Sequence, residues 1–129
     1  DEPPEEVREV ARALPVIKGI SVKGPSSLDA VEDYPQASAY LFDTYVAGVR
    51  GGTGKRFNWD ILSKGFHRHR LSKPWILAGG LNPENVERAV RDLKPYAVDV
   101  SSGVEARVGE KEPQKVREFI LKARRNNIE

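Results

Sequence analysis

With 129 residues, 39% hydrophobic and 31% charged, the chain has a globular composition and room for one domain. Its 21 basic and 19 acidic side chains are interspersed and leave a net charge of +2, so no basic stripe with interleaved aromatics argues for a nucleic-acid partner. The lack of cysteine excludes disulfides, thiolate metal sites and a cysteine nucleophile within these residues, and no apolar run reaches the roughly 18 residues needed to span a bilayer, so a cytoplasmic protein with no membrane partner is expected.

Pro3-Pro4-Glu5-Glu6 supplies prolines and acids for a first helical turn, and Val7, Val10, Ala11 and Leu14 follow at helical spacing until Pro15. Val16–Val22 is a short buried strand by composition. Ser26 or Ser27 can cap a second helix carrying Leu28, Ala30 and Val31, and Pro35 stops it. Ala39–Asp43 is the next strand and ends on a carboxylate. A long glycine-rich loop, Thr44–Phe57, leads to a helix near Trp59–Phe66, and Trp75–Ala78 forms a third strand. Asn82 is placed as an N-cap with Pro83 behind it, and Val86, Ala89, Val90 and Leu93 form the buried stripe of the helix that follows. Tyr96–Val100 is a fourth strand, and Glu112–Arg125 closes the chain as a helix with Val116, Phe119, Ile120 and Ala123 in register. Arg124 and Arg125 sit at that helix's tail, where cations complement its dipole.

One helix followed by four βα units implies parallel strands with helical crossovers, in a small open sheet or half of a closed barrel. Two turns decide for the barrel. Leu77-Ala78-Gly79-Gly80-Leu81-Asn82-Pro83-Glu84-Asn85 and Val98-Asp99-Val100-Ser101-Ser102-Gly103-Val104-Glu105 each stop an apolar run at small residues and then open a helix. Such turns leave backbone N–H groups uncovered at a helix start, which is how a chain binds phosphate. One is unremarkable, but two about one βα unit apart match the paired phosphate loops after the last two strands of a (β/α)8 barrel. The expected fold is therefore α/β, the C-terminal half of a (β/α)8 barrel, as a single partial domain over residues 1–129. A complete barrel needs roughly 200 residues or more. The chain is shorter, holds no Met and opens on a helix, so the N-terminal half is expected to be missing, lost from a longer protein or supplied as a partner. Two open sheet edges would otherwise favour self-association.

Asp43 ends the second strand, where barrel enzymes place catalytic groups, and Asp99 at the matching end of the fourth could bind a substrate hydroxyl, although each could simply serve its own turn as a cap or hydrogen-bond acceptor. Gly79, Gly80, Ser101, Ser102 and Gly103 are the candidate phosphate donors; a Cβ at the glycines would keep the backbone from the ligand. Arg50, Gly51, Gly52, Gly54 and Lys55 make a cationic loop suited to act as a lid over an anion, and their spacing is not that of a Walker loop. Glu105 fits the first turn of a short helix. His67 and His69 lie among basic residues on a solvated stretch, and neither metal nor cofactor is implied.

Phe42-Asp43-Thr44, Gly51-Gly52-Thr53-Gly54-Lys55 with Phe57-Asn58-Trp59, Ala78–Val86 and Val98–Glu105 together resemble the phosphoribosylanthranilate isomerase family, in order and over nearly the whole chain, from the barrel's fourth helix to its eighth. The resemblance implies an Amadori rearrangement in tryptophan biosynthesis, in which an acid opens a phosphorylated ribose attached to anthranilate and a base isomerises aldose to ketose. It implies Asp43 as the acid, and a cysteine base and an anthranilate-binding arginine on the first strand and second loop, which have no counterpart here. An isolated chain would then be inactive. The competing expectations are a non-catalytic, phosphate-binding or self-associating half-barrel, and another sugar-phosphate barrel isomerase or synthase.

Overall fold

The computed structural model describes residues 1–44, 59–66 and 71–125. Four strands, β1 (Ile17–Ser21), β2 (Ala39–Asp43), β3 (Trp75–Ala78) and β4 (Ala97–Val98), form one sheet in the order β1-β2-β3-β4. Every pairing is parallel, and the register sets Ile20 beside Phe42, Phe42 beside Leu77 and Leu77 beside Val98. Strand order that follows chain order matches a barrel wall, whereas a doubly wound sheet reverses direction at a switch point.

Alternation along the strands gives the sheet two unlike faces. Ile20, Tyr40, Phe42 and Leu77 are buried and join Leu28, Leu62, Val86 and Phe119 in one apolar cluster. Phe42 is its centre: its ring lies 6.3 Å from Tyr40, 6.1 Å from Phe66 and 5.7 Å from Trp75, and the last two rings are 4.7 Å apart. The Tyr40 hydroxyl lies 3.0 Å from the Tyr34 carbonyl and 3.2 Å from that of Val31, and burial pushes its ionisation up. On the opposite face Leu41 and Ile76 are only half-buried, and Ile17 is 58% exposed.

The helices follow the sequence pattern where a stripe has a surface to meet. In α1 (Pro4–Ala11) Val7 is buried, but Val10 and Leu14 are exposed, against expectation. The helix ends before Leu14, and no described element covers Val10. Between β1 and β2 the expected α-helix is a 3₁₀ helix, Ser27–Asp33. Three residues per turn set Leu28 and Val31 in line, and both are buried. Neither serine caps it: the Ser27 hydroxyl instead accepts the N–H groups of Lys23 and Gly24. Residues 59–66 form α2, with Trp59, Ile61 and Leu62 buried. It packs closely on the 3₁₀ segment, since a Cβ at Gly65 would lie 2.7 Å from Leu28 Cδ2. In α3 (Val86–Leu93), Val86, Ala89 and Val90 are buried as the spacing predicts.

β4 is shorter than the expected Tyr96–Val100. Tyr96 and Asp99 still donate backbone N–H groups to Trp75 and Leu77, but Tyr96 is exposed and the chain leaves the sheet beyond Asp99. Where a short helix was expected around Gly103–Glu105, a single 3₁₀ turn (Ser102–Val104) leads into a hairpin of β5 (Glu105–Arg107) and β6 (Glu110–Lys111). Gly109, at φ 80°, makes its tight turn. The Glu112 carboxylate then caps α4 (Pro113–Arg124) by accepting the N–H groups of Gln114 and Lys115. Phe119 is buried against the cluster, while Ile120, one residue and about 100° further round, is 46% exposed. Arg125 pairs with Glu87 of α3 at 3.2 Å, a second role beside the dipole. No helix among the described residues is long and apolar enough to cross a membrane.

Phe42→Ala should remove the centre of the aromatic cluster and lower unfolding free energy by about 3–5 kcal/mol, read from urea unfolding. A loss under about 1 kcal/mol would show that the four rings do not pack as one unit.

Candidate functional site

The carboxyl ends of β2, β3 and β4 lie side by side, because the register sets Asp43 level with Ala78, and the Asp99 N–H continues the ladder onto Leu77 O at 2.8 Å. Above these ends lies a cavity of about 300 Å³. Asp43, Gly79, Gly80, Asp99, Ser101, Ser102 and Gly103 all line it, together with Leu41, Ala78, Leu81 and Val100. The structure thus brings both candidate carboxylates and both candidate phosphate turns to one space. Arg50, Gly51, Gly52, Gly54 and Lys55, the expected lid, lie outside the described residues, as do His67 and His69.

Each turn is held by side chains that do not line the cavity. After β3, Gly79 and Gly80 adopt φ 93° and 68°, the left-handed region in which glycine has no steric penalty. Thr44, 1% exposed, fixes their start: its N–H donates to Ala78 O at 2.9 Å, and its hydroxyl is 3.1 Å from the carbonyls of both Ala78 and Gly79. Beyond them Asn82 and Asn85 form a reciprocal cap. Asn82 Oδ1 accepts the N–H groups of Glu84 and Asn85 at 2.9 and 3.0 Å, and Asn85 Oδ1 accepts that of Asn82 at 2.8 Å. The expected capping by Asn82 is present, with the α-helix proper starting one turn later at Val86. Asn85 Nδ2 also donates to Gly80 O at 3.0 Å, tying that carbonyl back to the cap.

The second turn is built against the first. A Cβ at Gly103 would stand 1.8 Å from the Leu81 carbonyl oxygen, so the two loops touch through backbone and only glycine fits between them. Gly103 therefore serves loop-to-loop packing as well as access to the cavity. Glu105 does not start a helix here; its carboxylate accepts hydrogen bonds from the Gly109 N–H and Lys111 Nζ, both at 3.2 Å.

The cavity pairs two carboxylates at the strand ends with two glycine-rich turns at its rim. Its described lining contains no cationic side chain, and among the described residues no three His, Cys, Asp or Glu side chains converge as a metal site. The chemistry such a space supports is proton transfer from a carboxyl to a ligand whose anionic end meets backbone donors.

Thr44, Asn85 and the 105–111 hairpin escape a reading of the sequence that looks only for reactive groups, yet signals for each exist. Thr44 continues the parity of Tyr40 and Phe42, which points it into the core. Asn82-Pro83-Glu84-Asn85 has capping-box spacing, and Gly109 between short polar segments is a turn signal.

The sequence model of the family described as N-(5'phosphoribosyl)anthranilate (PRA) isomerase matches residues 1–122. The N-(5'-phosphoribosyl)anthranilate isomerase of Pseudomonas fluorescens (strain Pf0-1) is 53% identical over 107 residues, covering 82% of this chain and 50% of that protein. That of Geobacter sulfurreducens is 49% identical over 124 residues, covering 96% of the chain and 58% of the relative. Among solved structures, phosphoribosyl anthranilate isomerase from Thermotoga maritima superposes with a TM-score of 0.80 at 38% identity, over 96% of this chain and 58% of that one. A phosphoribosyl anthranilate isomerase in complex with reduced 1-(o-carboxyphenylamino)-1-deoxyribulose 5-phosphate superposes with a TM-score of 0.76 at 34% identity, over 96% and 56% of the two chains. The chain spans about half the length of the curated relatives it matches.

Gly103→Ala should force the two loops apart and cost about 1–3 kcal/mol in urea unfolding. Gly24→Ala, where an added Cβ meets nothing within 4 Å, should change stability by less than about 0.5 kcal/mol. Equal effects at the two glycines would contradict the close contact at Leu81.

Proposed function

The chain belongs to the N-(5'-phosphoribosyl)anthranilate isomerase family, and from that premise we propose that it forms the fourth helix to the eighth of a (β/α)8 barrel that carries out this isomerisation in tryptophan biosynthesis. The observation that carries the reading is the convergence of Asp43 and both glycine turns on one cavity at the carboxyl edge of a parallel sheet. The half-barrel assignment draws support from strand order and from the sheet's second face. Parallel sheets are normally covered on both sides, and here Leu41 and Ile76 are half-buried and Ile17 exposed. The rest of a barrel wall would cover them, either in the same polypeptide or as a partner chain; a second copy of this chain is the other candidate for that face.

In this reading the Asp43 carboxyl gives its proton to the ribose ring oxygen. The C1–O bond breaks, and the nitrogen lone pair forms the C=N bond of an iminium. A base then takes the C2 proton, leaving an enolamine that tautomerises to the ketose. Asp99 sits within reach of the same cavity, in position to accept a hydrogen bond from a substrate hydroxyl. The phosphate lies between Gly79-Gly80 and Ser101-Ser102-Gly103, where backbone N–H groups bind an anion. The chain has no cysteine, so the cysteine base that the family resemblance implies comes from the preceding portion of the barrel.

Two measurements test this. Residues 1–129 alone should show no isomerase turnover, and adding the preceding portion of a relative's barrel, in cis or in trans, should restore it; turnover by the chain alone would place the base within it. In the completed barrel Asp43→Asn should lower kcat by at least about 10²-fold with KM little changed, as expected when a proton donor is removed. Retention of most of the turnover would move the acid elsewhere, with Asp99 the next carboxylate at the cavity.

A further inference from the structure

The hairpin that replaces the expected helix sends one lysine back to the second glycine turn. Lys111 Nζ donates to the Ser101 carbonyl at 2.8 Å and to Glu105 Oε2 at 3.2 Å. Glu105 is itself held: the Gly109 N–H donates to the same carboxylate oxygen at 3.2 Å, and Lys115 Nζ donates to the Glu105 carbonyl at 3.0 Å. Glu105 and Lys111 are also direct partners in the β5–β6 ladder, so the pair is fixed by backbone pairing and not only by side-chain rotamers.

We propose that Lys111 is a positioning residue for the anion cradle: by holding the Ser101 carbonyl on the hairpin side, it turns the Ser102 N–H toward the cavity. The argument is the planarity of the peptide. In a trans peptide the C=O and the following N–H point in opposite directions, so anchoring one end of the Ser101–Ser102 unit aims the other. Ser101 and Ser102 both line the cavity, while the ammonium that grips the carbonyl belongs to the hairpin and is not part of the lining. The first turn uses the same device with another donor: Asn85 Nδ2 holds Gly80 O at 3.0 Å, which aims the Leu81 N–H in turn. Each glycine turn thus has a side chain behind it fixing a peptide plane, joined in the first turn by Thr44 Oγ1 on Gly79 O at 3.1 Å and in the second by the Val104 N–H, which shares Ser101 O at 3.4 Å. Because Lys111 is ion-paired with Glu105, its contribution is directional and not a surplus of positive charge.

This inference rests on the phosphate lying between the two turns, and the experiment separates the two claims. In the completed barrel, inorganic phosphate should bind competitively with substrate; if it does not, the phosphate placement itself fails. With that binding established, Lys111→Met should weaken phosphate binding and raise KM about tenfold with kcat within about twofold, and Lys111→Arg should keep both within about threefold. Glu105→Ala decides the mechanism by its sign. Removing a carboxylate near an anion site tightens phosphate binding if Lys111 acts through charge alone, but weakens it, by about threefold, if Lys111 must be held in place to aim the peptide. The phosphate-induced rise in Tm of each variant reads the same affinity without reference to activity. Unchanged phosphate affinity in Lys111→Met, or tighter binding in Glu105→Ala, overturns the positioning role while leaving the phosphate site standing. Should Lys111→Met fail to fold, the sign of the Glu105→Ala effect still decides.

Discussion

The structure of the site depends on an atom that is not there. Two loops that leave adjacent strands can share one small ligand only if their backbones approach to contact, and the space a Cβ would need at Gly103 is filled by the Leu81 carbonyl. That contact requires β3 and β4 to end at the same level, which the Leu77–Val98 pairing and the Asp99 bond to Leu77 supply. The level of β3 is in turn fixed by its five-membered neighbour β2, whose Phe42 is locked among Tyr40, Phe66 and Trp75. Aromatic packing on the helix side therefore sets the level of the strand ends around the cavity, and the packed core lies directly behind it.

Strand parity assigns opposite tasks to consecutive residues at the end of β2. Tyr40, Phe42 and Thr44 share one side, and Leu41 and Asp43 share the other. Asp43 thus meets the cavity while Thr44, its neighbour, turns inward and holds the carbonyls that open the glycine turn. A register slip of one residue would exchange them, burying a carboxylate in the aromatic cluster and exposing a hydroxyl to the cavity. The cost of burying an unpaired carboxylate is large, so the hydrophobic pattern of the strand also specifies where its acid points.

Much of this is legible in the sequence because the relevant signals are local. Ala39–Asp43 and Trp75–Ala78 are found at their expected bounds, since each is a short apolar run closed by a change of residue type. Seven residues picked from two glycine turns and two strand-end acids do line one cavity, because in parallel strands the carboxyl ends all face the same way. What fails is decided by neighbours. The segment around Leu28 has helical composition, yet it forms a 3₁₀ helix whose line of Leu28 and Val31 meets Gly65 and the core. Glu105 reads as a helix-start acid, yet its carboxylate is taken by Lys111 six residues on, an interaction visible only after the chain turns at Gly109. Val10, Leu14 and Ile120 show that an apolar stripe predicts burial only where another element arrives to cover it.

On the proposed reading the two glycine turns at the cavity meet the anion through backbone N–H groups. Such groups bind an anion with no net charge, but they work only if each peptide plane is held in the right orientation. Holding it takes a donor on the far side of the plane: Thr44 Oγ1 on Gly79 O and Asn85 Nδ2 on Gly80 O in the first turn, and Lys111 Nζ with the Val104 N–H on Ser101 O in the second. Asn85 is neutral, and Lys111, though charged, has Glu105 at 3.2 Å. In the proposed site the cradle thus receives its direction from donors that bring no free positive charge of their own.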